Sequence, residues 1–144
     1  MRIYEPVRVE GQTQASDASA LIDTGADVSL LPQALAGTIG AWPTGHEMGL
    51  RGVHGESEVH PLVIANLFFP GLGDVGAQCF FAMSRENELI IGMDILRALG
   101  ISIDTATQTL SIRNEAWESL KTITTTGVIG LLVYRALRRK SEDD

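Results

Sequence analysis

Apolar residues recur along this chain in short blocks, alternating with polar ones or running together, and the blocks are bounded by Gly, Pro, Asn and Ser. Such blocks with such breakers predict β-strands near 4–11, 18–23, 28–31, 46–53, 56–67, 76–83, 88–91, 101–104 and 108–112. Helical patterning is scarce. Pro32 can open a turn that runs through Ala36, and the stretch from Met93 to Leu99 sets Met93, Leu96 and Leu99 on or near one face before Gly100 stops it. The chain therefore reads as all-β with little helix. One hairpin, from about Met48 to Val59, turns at Gly52-Val53-His54-Gly55, and its two glycines suit a tip that opens and closes.

One polar interruption breaks this pattern. Ala20-Leu21-Ile22-Asp23-Thr24-Gly25-Ala26-Asp27-Val28-Ser29-Leu30-Leu31 sets an acidic, glycine-containing turn between two apolar runs. Burying Asp23 as an isolated anion would be costly, so its charge needs an account. Gly25 is expected to permit a tight turn there, with the Thr24 hydroxyl fixing it. A solvated turn between two strands would explain the tripeptide alone. A second segment, Glu88-Leu89-Ile90-Ile91-Gly92-Met93-Asp94-Ile95-Leu96, changes the balance. The first segment closely resembles the active-site motif of the aspartic proteases, with flanks like those of the retroviral-type, retropepsin-like branch. The second resembles the apolar-apolar-Gly segment that precedes the single helix of retropepsins. The resemblance spans roughly residues 5 to 112.

What the resemblance implies is an all-β, retropepsin-like acid protease β-barrel over residues 1–112, with one short helix before the closing strands. The implied activity is that of an aspartic endopeptidase acting on extended polypeptides, with Asp23 as the catalytic residue. Aspartic proteases use two carboxylates about 3 Å apart that share a proton. One motif supplies only one of them. The segment Ile103-Asp104-Thr105-Ala106 echoes the first but lacks the glycine and the apolar run after it, so Asp104 is better read as a strand end entering a turn. A homodimer with one Asp23 per chain at its twofold axis follows.

Other roles carry over by resemblance. Thr24 would interlock with its copy in the partner chain, and the Gly25 carbonyl would bond the substrate backbone. Ala26 and Asp27 would help hold an extended peptide, Val53, His54 and Gly55 would cover it from the hairpin tip, and Ile90 would line the central side-chain pockets. The chain departs from the viral pattern at Met93, where the viral enzymes carry an arginine that pairs with the acidic residue matching Asp27, and at Asp94, which replaces an amide. Without that arginine Asp27 needs another partner or stays solvated. The sequence Gly92-Met93-Asp94 is similar to that of cellular and bacterial members. The alternative reading is a retropepsin-like module that dimerises or binds peptide without turnover.

Composition narrows the field further. With 144 residues, 44% of them hydrophobic, the chain can bury one core but not two full ones. A net charge of −7 and a pI near 4.9 argue against a nucleic-acid partner. The single cysteine, Cys79, rules out an intrachain disulfide and reads as a small buried hydrophobe. The first residues lack the uninterrupted apolar region of a signal peptide. His46, His54 and His60 match no zinc spacing, so neither metal nor cofactor is expected, and His54 at the hairpin tip is the candidate for pH-dependent closure.

Residues 113–144 are expected to form a helical appendage with a basic, then acidic end. The run from Thr122 to Tyr134 carries no charge but is short for a span of about 20 apolar residues. Extended to 117–137 it reads either as a membrane segment or as a helix packed on the domain or in a dimer interface. Localisation is thus expected to be cytoplasmic or membrane-anchored, and a membrane-anchored interaction protein centred on 113–144 is a third reading.

Overall fold

The structure, a computed structural model, describes residues 2–51, 55 and 57–112. The chain forms β1 (Ile3–Glu10), β2 (Ala15–Ile22), β3 (Leu30–Pro32), α1 (Gln33–Ile39), β4 (Trp42–Arg51), β5 (Ser57–Phe69), a 3-10 turn (Pro70–Leu72), β6 (Val75–Ser84), β7 (Ile90–Ile91), α2 (Met93–Leu99), β8 (Ile101–Asp104) and β9 (Thr109–Ile112). The expected strands are present with shifted ends. The helix content differs from expectation, because α1 is a second helix rather than a turn ending at Ala36. Ala36 and Ile39 are both buried, and burying that face carries the helix on to Gly40, which closes it in the left-handed conformation at φ 68°.

The strands close a barrel. Their order is β1-β2-β7-β3-β6-β5, and β5 returns to β1 by pairing Asn66–Phe68 with Arg8–Glu10. β4 lies outside this ring as the second arm of the β4–β5 hairpin. Closure removes the open sheet edges that an all-β chain otherwise exposes. The interior is filled by alternate residues, including Val7 and Val9 of β1, Val63, Ala65, Leu67 and Phe69 of β5, and Phe81 of β6. Leu96 and Leu99 of α2 join the same core, as does Ile95, which the helical pattern did not single out. At the crowded β5–β6 edge Phe68 faces Gly76, where an added Cβ would fall 2.3 Å from the Phe68 ring.

β8 and β9 form a separate two-stranded sheet. Ile101 is buried, and Ile103 and Leu110 pack against the barrel core, so the hairpin is held by one apolar face. The appendage expected at 113–144, including the segment 117–137, lies outside the described residues. Among the described residues no helix is long and apolar enough to cross a membrane.

Candidate active site

Asp23 stands where β2 ends. β2 runs parallel to β7, with Leu21 opposite Ile90 and Ile22 opposite Ile91. The Leu21 N–H donates to the Leu89 carbonyl at 2.9 Å, and the Asp23 N–H donates to the Ile91 carbonyl at 2.9 Å. The last ladder bond therefore belongs to Asp23 itself, and the chain turns immediately after it. That turn is closed by the Ala26 N–H on the Asp23 carbonyl at 3.2 Å and by the Gly25 N–H on Asp23 Oδ1 at 2.9 Å. The aspartate thus makes its own turn. Gly25 is not in the left-handed region, so the expected reason for a glycine there is corrected. A Cβ at residue 25 would sit 3.2 Å from Asp23 Oδ1, and what glycine supplies is room for the carboxylate. The Thr24 hydroxyl does not fix the turn either; it is exposed and has no hydrogen bond among the described residues.

The return of this loop is pinned by a hydrogen-bond network, centred on the buried Ser29 and reaching the exposed Asp94, that the sequence did not announce. Ser29 has no exposed surface. Its hydroxyl donates to Asp94 Oδ1 at 2.7 Å and accepts the Gly92 N–H at 2.8 Å, and its N–H donates to Asp94 Oδ2 at 3.1 Å. Asp94 Oδ1 also accepts the Ile95 N–H at 2.9 Å, which places a carboxylate over the first turn of α2, where the helix dipole favours it. The Met93 N–H donates to the Ala26 carbonyl at 2.8 Å. Residues 23–29 are therefore tied at both ends to the 91–95 segment. Asp27 takes the solvated alternative, being exposed and without an ion pair among the described residues.

A family model described as "gag-polyprotein putative aspartyl protease" matches residues 7–98, a span that holds both segments of this network. The chain belongs to the retropepsin-like aspartic protease family. Its barrel is similar to that of EIAV protease complexed with the inhibitor HBY-793, with a TM-score of 0.56 and 21% identity over 72% of this chain and 93% of that one. It is likewise similar to the retroviral protease-like domain of Ddi1 from Leishmania major, with a TM-score of 0.54 and 19% identity over 79% of this chain and 89% of that one. At these identities the likeness is one of fold. Among curated proteins no sequence matches.

The retropepsin-like barrel brings Asp23, Thr24, Gly25, Ala26 and Asp27 together on one loop, with Ile90 beside them. Ile90 is half-buried between Leu21 and Leu30, its partners on β2 and β3. Gly55 is exposed at the hairpin tip with φ 79°, whereas Val53 and His54 lie outside the described residues. Asp104 is engaged in its own turn, as the sequence pattern suggested: its Oδ1 accepts the Ala106 N–H at 2.9 Å and the Thr107 N–H at 3.3 Å between β8 and β9. A cavity of about 720 Å³ adjoins Leu30 beneath the hairpin, lined among others by Leu50, Val59, His60, Met83 and Ser84. The Ser84 hydroxyl is buried and has no hydrogen-bond partner among the described residues. A second cavity, about 580 Å³, lies between α1 and the hairpin root, away from the Asp23 loop. Among the described residues no three His, Cys, Asp or Glu side chains cluster as metal ligands.

Proposed function

We propose that this chain is the protomer of an aspartic endopeptidase that is active as a homodimer, each copy contributing Asp23. The observation that carries the reading is the state of that carboxylate. One of its oxygens is held by the Gly25 N–H at 2.9 Å, and among the described residues no other carboxylate is hydrogen-bonded to it, Asp104 being engaged in its own turn. A second copy related by a twofold axis supplies the missing group. The exposed Thr24 hydroxyl beside it is free to meet its own copy across that axis.

In such a pair, like charges this close do not both ionise, and the two aspartates titrate as a unit. The ionised one accepts a proton from a water as the water oxygen attacks the peptide carbon. The protonated one gives its proton to the carbonyl oxygen, so a neutral diol forms. Its collapse returns a proton to the departing nitrogen and breaks the C–N bond. The substrate backbone lies extended between the Asp23 loop and the β4–β5 hairpin, with Gly25, Ala26 and Asp27 below it and Ile90 against a side chain.

The test is cleavage of a diverse peptide library at high protein concentration, from about pH 3 to 7, with wild type and Asp23→Asn compared. Turnover in wild type that is lost in a folded, dimeric Asp23→Asn variant supports the peptidase. A stable dimer in which neither protein cleaves overturns it in favour of the peptide-binding or dimerisation module.

A further inference from the structure

The β4–β5 hairpin outruns the sheet that supports it. β5 pairs with β6 from Leu62–Ala82 down to Phe69–Val75, whereas its pairing with β4 continues outward to Arg51–Ser57. Pro61 marks the place where support stops. Along an antiparallel strand, successive residues turn their N–H and C=O alternately to one neighbour and the other. The Ala82 N–H goes to the Ser29 carbonyl at 3.1 Å, on the β3 side, so the backbone groups of Met83 face β5. In continued register the residue opposite Met83 is Pro61, which has no N–H to give.

The Met83 carbonyl is nevertheless partnered. Nδ1 of His60 lies 3.0 Å from it, and Nε2 of the same ring lies 3.3 Å from Glu58 Oε2. The ring is only 16% exposed. We infer that His60 is a positioning residue for the hairpin: its ring replaces the backbone hydrogen bond that Pro61 cannot make and latches the hairpin root to the end of β6. Protonation tightens the latch. A neutral ring can donate from one nitrogen only, so it meets either the Met83 carbonyl or the Glu58 carboxylate with a lone pair. The imidazolium donates to both. Arg51 from β4, and Arg85 and Glu86 after β6, line the same cavity together with the uncharged Gln33 of α1, but among the described residues only Glu58 forms an ion pair with the ring. The consequence for catalysis rests on the proposed covering role of the hairpin, whereas the latch itself does not.

Hydrogen exchange of the full chain tests this across about pH 5–8, where histidine side chains change charge. His60→Ala removes both bonds, and His60→Asn keeps an N–H near the Nδ1 position. After correction for intrinsic exchange rates, the backbone amides of 42, 44–51 and 57–60 in wild type should open more as pH rises. In His60→Ala they should open about 2- to 10-fold more at the acidic end, as expected for losing the one of the two bonds that crosses to β6, and no longer respond to pH. His60→Asn should recover most of the protection without the pH response. Identical profiles for wild type and His60→Ala overturn the latch, and so does an opening in His60→Ala that His60→Asn fails to reverse. The readout needs no turnover, so a chain with this exchange pattern and no peptidase activity would remove the proposed function and leave the latch standing.

Discussion

Ser29 Oγ lies 2.7 Å from Asp94 Oδ1, and this contact joins the end of the Asp23 loop to the first turn of α2 across 65 residues of sequence. The serine is fully buried, and its hydroxyl also satisfies the Gly92 N–H. Ser29→Ala leaves that buried N–H without its acceptor, which costs about 1–3 kcal/mol. Asp94→Asn keeps one acceptor oxygen and turns an NH₂ towards the Ser29 N–H, so a cost of about 1 kcal/mol is expected. Denaturant unfolding of the two single variants and the double variant gives the coupling directly. A Ser29→Ala cost below that of Asp94→Asn would contradict the hydroxyl's place at the centre of the network.

Gly92 makes the second tie a matter of space. A Cβ there would fall 2.7 Å from the Ala26 carbonyl oxygen and 3.1 Å from the Val28 carbonyl, both backbone atoms of the Asp23 loop. Because the obstruction is main chain, no rotamer change relieves it. Gly92→Ala is expected to cost about 2–4 kcal/mol, in the range of overpacked sites, and to displace Asp23 with its loop. Where wild type cleaves peptide, the variant should lose activity even at temperatures where circular dichroism shows it folded. Unchanged stability would show that the loop yields freely.

How much of this was legible in the sequence depends on how local the determinants are. The Asp23 turn was readable because its bonds run between Asp23, Gly25 and Ala26. The strands were readable because alternate burial leaves a period of two in the residues. β4 begins earlier than expected, at Trp42, since Pro43 and Gly45 look like breakers. There the strand absorbs them in a register shift, with Thr44 Oγ1 donating to the Leu62 carbonyl at 2.7 Å and Gly45 at φ 79°. The Ser29–Asp94 and His60–Met83 contacts were not readable, because their partners meet only once the barrel closes. The pH-sensitive role expected of His54 falls on a residue outside the described ones; of the two described histidines, His46 is exposed and His60 is the one whose ring has partners among the described residues.

Cys79 offers a test of the core. It faces the barrel interior at 8% exposure, and burial, with a smaller contribution from the Asp94 charge, pushes its thiol up to about 12. The thiolate is the reactive form, so the native protein should be inert to thiol reagents at pH 8. Labelling should proceed at the rate of unfolding and accelerate in step with denaturant. Cys79→Ala should cost about 1 kcal/mol and leave the fold intact. Rapid stoichiometric labelling of the folded chain would place Cys79 outside the core.

Glu5 predicts a pH dependence of stability with a definite sign. Burial pushes its carboxyl above the ordinary value of 4.5, and the carboxylate has no hydrogen bond or ion pair among the described residues to offset this. The folded state therefore holds the proton more tightly than the unfolded chain. The group's contribution is most favourable below its unfolded value and declines as pH rises through its folded value, because over that window only the unfolded state ionises freely. Above the window the handicap is constant. Glu5→Gln removes it, so the variant should melt at most a few degrees higher than wild type at pH 7, with the difference shrinking as pH falls and vanishing below the carboxylate range. Melting curves from about pH 3 to 8 check this, and a difference independent of pH would mean that packing around Gly71, whose Cβ position lies 2.8 Å from Glu5 Oε1, governs the substitution instead.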